Sequence, residues 1–156
     1  MTRRVVDSPI GPLYITSDPD SITELKFRCQ EGDEYSCGGG SATTALDLCE
    51  REVKAYFSGK LKEFTVPVRL TGTEFRMKVW EALRGISYGE TVSYRDIAVR
   101  IGNAKAVRAV GGANHHNPVS IIVPCHRVVG ADGSLTGFGG GLSAKEYLLG
   151  LEAKYK

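Results

Sequence analysis

Cys125 lies in the run Ile121-Ile122-Val123-Pro124-Cys125-His126-Arg127-Val128-Val129-Gly130, with a proline before it and a histidine and an arginine after it. A cysteine attacks as its thiolate, and neighbouring His or Arg favours that form over a thiol of ordinary pKa, about 8.5. The run therefore suits nucleophilic transfer onto sulfur. Residues 119–123, β-branched except for Ser120, read as a short strand, which the proline ends, so Cys125 is expected where the chain turns. Cys49 falls instead on the apolar face of a helical pattern, the usual place of an inert buried thiol.

Metal chemistry fits poorly. Zinc ligands usually come as C-x₂₋₄-C or H-x₃₋₅-H pairs. Cys29, Cys37 and Cys49 are spaced too widely, His115 and His116 are adjacent, and no histidine precedes His115. No metal and no cofactor is expected. The four cysteines are too sparse for a disulfide scaffold in 156 residues. Cys29, Cys37 and Cys49 are read as free thiols, with a disulfide pair or partial metal site left open.

The elements that must hold Cys125 come from a motif-rich second half. Thr71-x-x-Glu74 has a capping-box pattern, and Phe75, Val79, Ala82 and Leu83 mark a helix ending near Gly85. A second helix starts at Ser93, with Tyr94, Ile97, Ala98 and Ile101 on one face and Gly102 as its stop. Asn103 is expected to cap a third helix running from Ala104 to about Gly112, built of small residues and one long cation, Arg108. Two helices joined by a glycine turn form a helix-turn-helix candidate, a pattern also common in enzymes. A last helix is expected from the box Ser143-x-x-Glu146, burying Tyr147, Leu148 and Leu151.

The first half reads as short β-strands at 13–16 and 22–27, a polar glycine-rich loop at 31–41, and a helix carrying Leu46, Cys49, Val53, Tyr56 and Phe57 that stops at Ser58-Gly59. Residues 64–70 are extended and lead to a boundary, giving domains at 1–70 and 71–156. No apolar run approaches the roughly 20 residues of a membrane helix, and an acid and a proline interrupt the N-terminus before any signal core, so a cytoplasmic location is expected.

The net charge of +2 conceals an asymmetry. Residues 1–71 hold 9 cations and 11 anions, whereas 72–156 hold 11 cations and 7 anions. No Asp or Glu occurs from 97 to 131, a window holding Arg100, Lys105, Arg108, Arg127 and all three histidines. Such a window suits a surface that faces phosphates, although the cations are scattered and much of the segment is apolar. Residue types alone leave open a DNA-binding regulator, a thiol enzyme for small molecules, and a protein that does thiol chemistry on DNA.

Pro124-Cys125-His126-Arg127 and its flanks resemble the hallmark of the O6-alkylguanine-DNA alkyltransferases. The likeness extends to Ser93-Tyr94, the run 103–113, Asn117-Pro118, Gly139-Gly140-Gly141-Leu142 and Lys145-Glu146-x-Leu148-Leu149-x-x-Glu152. It is strong over 72–152 and loose before that. It implies an α+β fold: an N-terminal ribonuclease H-like sheet with a covering helix, then a mostly α domain with a winged helix-turn-helix carrying the active site. The implied activity is irreversible transfer of a methyl or larger alkyl group from guanine O6, and thymine O4, of flipped-out nucleotides in double-stranded DNA. The protein would act once per molecule, as a monomer without an obligate protein partner.

The resemblance also implies roles. Cys125 would accept the alkyl group, His126 would take the thiol proton through a water, Glu152 would orient His126, Tyr94 would stabilise the departing base, and Asn117 would hold the turn before Cys125. Arg108 would fill the vacated base stack, with Ser93, Tyr94, Asn103, Lys105, Ala109 and Gly111 at the DNA. Val128, Phe138, Gly139 and Gly140 would line the base pocket. Relatives commonly carry Tyr at the Phe138 position and some carry Ser at Gly139. With those hydroxyls missing, backbone N–H groups of the 137–141 loop are expected to serve as donors, and the small Gly139 to admit bulkier alkyl groups.

Overall fold

The computed structural model describes residues 2–28, 44–135, 138 and 140–156, with the backbone alone at 36 and 37. Cys29, the Cys37 side chain, Gly137, Gly139 and most of the predicted 31–41 loop lie outside the described residues. The chain divides into two compact units, Met1–Leu70 and Thr71–Lys156.

In the first unit β1 (Thr2–Val6), β2 (Leu13–Ser17) and β3 (Ile22–Lys26) pair antiparallel, and β4 (Ser36–Cys37) joins β1 in parallel, giving the order β3-β2-β1-β4. Ser8 closes the first hairpin, its hydroxyl donating to the Gly11 carbonyl at 2.6 Å. Helix α1 (Thr44–Phe57) packs on β2 and β3. It buries Leu46, Cys49, Val53 and Tyr56, spaced three to four residues apart, against Leu13, Ile15 and Leu25. Two buried charges tie this layer together. Arg4 Nη1 donates to Asp47 Oδ1 of α1 at 2.9 Å. The Glu52 carboxylate accepts from the Thr65 and Val66 amides and the Thr65 hydroxyl, fixing the extended segment after the helix.

The second unit is mostly helical. Its core joins Val79, Trp80 and Leu83 of α2 (Glu74–Arg84), Ile97 and Ala98 of α3 (Tyr94–Arg100), Val110 and Ala113 of α4 (Val107–His115), and Leu148 and Leu151 of α5 (Leu142–Tyr155). Trp80 Nε1 donates to the Ala113 carbonyl at 2.8 Å, which satisfies the indole inside the core and ties α4 to α2. Helices α3 and α4 form the expected helix-turn-helix, and Gly102 turns the chain between them at φ +82°, a conformation that L side chains rarely adopt. Strand β5 (Val92–Ser93) pairs in parallel with β6 (Val128–Val129), which sets the start of α3 beside the residues that follow Cys125. The whole is the α+β architecture expected: a sheet with a covering helix, then a winged helix-turn-helix unit. No helix among the described residues is long and apolar enough to cross a membrane.

Local boundaries differ from the sequence reading for identifiable reasons. The α2 cap is Thr73, not Thr71; its hydroxyl accepts from the Arg76 amide at 3.2 Å. Ser93 precedes the second helix as its cap, in a reciprocal box with Asp96. Helix α4 begins at Val107, not Ala104. Asn103 makes a turn through its backbone carbonyl, which accepts from the Ala106 amide at 3.0 Å, and no side chain among the described residues caps the helix. Helix α5 starts after Gly141, so Ser143 already lies inside it and the predicted box does not form. Tyr147 is 41% exposed, because the inward stripe runs through Ala144, Lys145, Leu148, Leu151 and Glu152.

The predicted strand at 119–123 is instead a tight wrap. Ser120 and Val123 form an isolated bridge, and Ile121 sits at φ +72°, an outlier for a β-branched residue. The Asn117 side chain explains it. Its Oδ1 accepts from the Val119 amide at 3.0 Å and its Nδ2 donates to the Val123 carbonyl at 2.8 Å, so the segment closes on Asn117 rather than on a neighbouring strand.

Candidate active site

Cys125 opens a single 3-10 turn, Cys125–Arg127. Its amide donates to the Val123 carbonyl at 2.8 Å, and the Arg127 amide donates to the Pro124 carbonyl at 3.1 Å. Cys125 is 4% exposed. The Asn117 and Ser120 side chains act on its sulfur in favour of the thiolate, so the wrap that replaces the predicted strand is what brings both groups near it. Asn114 of α4 reaches the same turn, its Nδ2 3.4 Å from the Cys125 carbonyl.

The expectation that His126 and Arg127 activate the thiol by adjacency is corrected. Burial pushes the Cys125 thiol up; the bonds from Asn117 and Ser120 and the positive charge of Lys145 pull the other way. His126 and Arg127 both turn to α5. His126 is fully buried, and its Nε2 lies 2.6 Å from Glu152 Oε2. Arg127 closes on the same carboxylate with Nε to Oε1 at 2.8 Å and Nη2 to Oε2 at 3.0 Å, and the Gly89 amide donates to Oε1 at 3.1 Å. Burial alone would raise the Glu152 carboxyl. The hydrogen bonds and charges of His126 and Arg127 outweigh it and hold the group well below the usual carboxylate range. Burial pushes His126 down, against the pull of Glu152 and with the help of Arg127 and Lys145. An ionised Glu152 accepts, so Nε2 carries the proton of a neutral ring and Nδ1 carries the lone pair. That Nδ1 is buried and has no hydrogen-bond partner among the described residues.

Lys145, part of the family-like run, and Ser120 are site residues to which sequence reasoning assigned no role; Lys145 is the more telling of the two. It is fully buried, donates from Nζ to the Val128 carbonyl at 2.6 Å, and its ammonium is held below its usual range by burial. The signal was present: 145, 148 and 152 share one helix face at i, i+3 and i+7. Ser120 carried no such signal.

The other expected site residues fall on surfaces around this core. Tyr94 is the first residue of α3 and half-buried; a Cβ added at Gly111 would stand 4.0 Å from its ring, so α4 passes close to it. Arg108, Ala109 and Gly112 lie on the exposed side of α4, opposite the buried Val110, Ala113 and Asn114. Asn103 and Lys105 are exposed in the turn before α4, and Ser93 caps α3. Val128 is buried in β6. Phe138 and Gly140 are half-buried, and the Phe138 carbonyl accepts from the Gly141 amide at 2.9 Å, whereas Gly139 lies outside the described residues. No group of three His, Cys, Asp or Glu among the described residues could hold a metal ion. Cys49, buried in the first unit, has its thiol pushed up to about 12 by burial and by Glu52, which leaves it inert.

These features have close counterparts. Residues 1–70 match the ribonuclease-like domain of 6-O-methylguanine DNA methyltransferase, and residues 74–154 match its DNA binding domain. A methylated-DNA–protein-cysteine methyltransferase of Mycolicibacterium paratuberculosis is 47% identical over 152 residues, covering 97% of this chain and 92% of the relative. One from Methanosarcina acetivorans is 46% identical over 153 residues, covering 97% and 98%. The crystal structure of Mycobacterium tuberculosis OGT in complex with DNA superposes with a TM-score of 0.90 at 46% identity, covering 99% of this chain and 94% of that one. Matched along both units, the chain belongs to the 6-O-methylguanine DNA methyltransferase family, the methylated-DNA–protein-cysteine methyltransferases.

Proposed function

We propose that this protein repairs duplex DNA by drawing the alkyl group from guanine O6, and from thymine O4, onto Cys125, once per molecule. The observation that carries the reading is the buried relay beside the cysteine: an ionised Glu152 holds His126 by Nε2 and leaves Nδ1 without a partner, one residue from a buried thiol. The thiol proton passes through a water to Nδ1. The thiolate, bonded by Asn117 and Ser120 and facing the Lys145 charge, attacks the alkyl carbon. The S–C bond forms as the C–O6 bond breaks. The base leaves as a guanine anion steadied by the Tyr94 hydroxyl and takes up a proton, and His126 gives up its own, so one proton moves overall from thiol to base. A thioether offers water no labile bond, which makes the transfer final.

Guanine O6 is out of reach inside a stacked duplex, so the nucleotide must turn out. The exposed side of α4, bearing Ala109 and Gly112 with Gly111 against Tyr94, allows close approach to a groove, and Arg108 is the long side chain that fills the vacated stack. Ser93, Asn103 and Lys105 stand for the backbone, and Val128, Phe138, Gly139 and Gly140 for the base pocket. DNA binding and transfer both belong to residues 71–156. A thiol that must stay reduced suits the cytoplasm.

Intact-mass measurement after incubation with duplex DNA containing O6-methylguanine tests the reading. The chain should gain one methyl and no more under excess DNA, and Cys125→Ala should gain none. A folded wild-type sample that gains nothing, or a Cys125→Ala chain that is still methylated, overturns it. A parallel duplex with O4-methylthymine tests the second substrate.

A further inference from the structure

Arg127 follows His126 in the chain, yet its side chain serves Glu152. Nε and Nη2 close on the two carboxylate oxygens as a fork, Nη1 donates to the Ile86 carbonyl at 2.7 Å, and the guanidinium lies 5.7 Å over the Tyr88 ring. With the Gly89 amide, three N–H groups already hold the carboxylate before His126 adds a fourth. A carboxylate so held, with a cation in bidentate contact, stays ionised and can only accept. Were Glu152 protonated, it could donate to Nε2, and the ring proton would move to Nδ1, the wrong nitrogen for taking a proton from Cys125.

The same geometry fixes the charge count. Arg127, Glu152 and a neutral His126 sum to zero. A carboxylate facing an imidazole alone would favour a second proton on the ring; with the guanidinium in place that proton leaves a buried net positive charge. Among the described residues, the charged groups acting on His126 are Glu152 and Lys145 from α5 and Arg127 from its own turn, while Tyr88, flanked by Tyr155, faces Glu152. Arg127 hydrogen-bonds Glu152, whereas the Lys145 ammonium donates to the Val128 carbonyl.

Building on the transfer reading, we propose that Arg127 is a positioning residue of the reaction: acting through Glu152, it fixes which nitrogen of His126 accepts the thiol proton and keeps that nitrogen bare until the proton arrives.

Two measurements on the full chain test it. Nitrogen-15 NMR of the His126 ring at pH 7 should find the proton on Nε2 and none on Nδ1; an Nδ1–H ring in the wild-type protein overturns the proposal without any variant. Next, methyl transfer from the O6-methylguanine duplex is timed against pH. In Arg127→Gln the midpoint of the acid limb should rise by about one pH unit, since a like charge beside the ring is gone. Transfer on that limb should fall about tenfold. Arg127→Lys, which returns the charge without the fork, should bring the midpoint back toward wild type. A folded Arg127→Gln with an unmoved midpoint overturns the proposal; if that variant does not fold, Arg127→Lys and the wild-type ring decide. A wild-type chain that transfers no methyl sinks the transfer reading, and the ring tautomer still reads the Arg127 arrangement.

Discussion

Replacing Glu152 with Gln should destabilise the second unit far more than the loss of one hydrogen bond. Gln is isosteric, so packing against Leu148 and Leu151 is kept. What changes is that Arg127, 7% exposed, loses its counter-charge while its Nη1 stays tied to the Ile86 carbonyl. Leaving one partner of a buried pair uncompensated costs about 3–5 kcal/mol. Trp80 is the single tryptophan of the chain, it is 2% exposed, and it lies in the same unit, so denaturant unfolding followed by its fluorescence reads this unit directly. The pH dependence gives a second check. Glu152 has a folded value depressed below the ordinary carboxylate pKa of about 4.3, so its contribution is complete above that pH and is lost as pH falls toward the folded value. His126 is also depressed, so both proteins lose stability below about pH 6.5, and the variant loses more because no carboxylate offsets the charging of the ring. The gap between wild type and Glu152→Gln should therefore widen from pH 6.5 downward and close again below about pH 4.3. Adding Arg127→Met should restore part of the loss, since removing both charges costs less than stranding one. A gap under about 1 kcal/mol at pH 7, or strict additivity in the double variant, would refute the reasoning.

Arg108→Ala should slow transfer from duplex DNA at least about tenfold, with a shallower salt dependence of binding, yet leave transfer from a free O6-alkylguanine base unchanged, if this exposed cation of α4 acts on the duplex as proposed and not on the sulfur; timed assays on both substrates decide. Asn117→Ala strands the Val119 amide and the Val123 carbonyl inside the fold and should cost about 2–4 kcal/mol in Trp80-monitored unfolding, along with slower transfer; a neutral substitution would mean that the wrap before Cys125 does not depend on it. Benzyl adducts should transfer at least as readily as methyl adducts, given Phe138 and Gly139 in place of hydroxyl-bearing residues; strong rejection of benzyl in competing-substrate kinetics would refute this.

The layout of both units was readable because apolar periodicity carries it. Leu46, Cys49, Val53 and Tyr56 share a face in the sequence and in α1, and Ile97 and Ala98 do the same in α3. Helix starts were less readable. A cap depends on one side chain meeting one amide, and Thr73 met it where Thr71 had the better motif. The strand read at 119–123 failed for a related reason. β-branched residues fit a pleated surface, but two bonds from Asn117 close this segment on itself and hold Ile121 at a positive φ that its own side chain disfavours.

The candidate nucleophile stood out from residue types alone and the contacts around it did not, and the two outcomes share a cause. Cys125, His126 and Arg127 are neighbours in sequence, which invites the inference that they act on one another. A single 3-10 turn sends their side chains apart: the sulfur goes to Asn117 and Ser120, the imidazole and guanidinium to Glu152 on α5. Adjacency fixes the backbone path and leaves the side-chain direction to the turn. The groups that act on the sulfur come from residues five and eight positions earlier, and the carboxylate comes from a helix, 26 residues beyond His126 and 25 beyond Arg127. Contacts of that kind follow no period, and each end of them has an innocent reading by itself: Glu152 as an exposed helix carboxylate, Lys145 as a solvated lysine. Burial removes the innocent reading. An ionised group that is 1% exposed persists only where donors surround it, so once α5 is known to bury Glu152, the presence of Arg127 and His126 at its oxygens is what the cost of burying a charge demands.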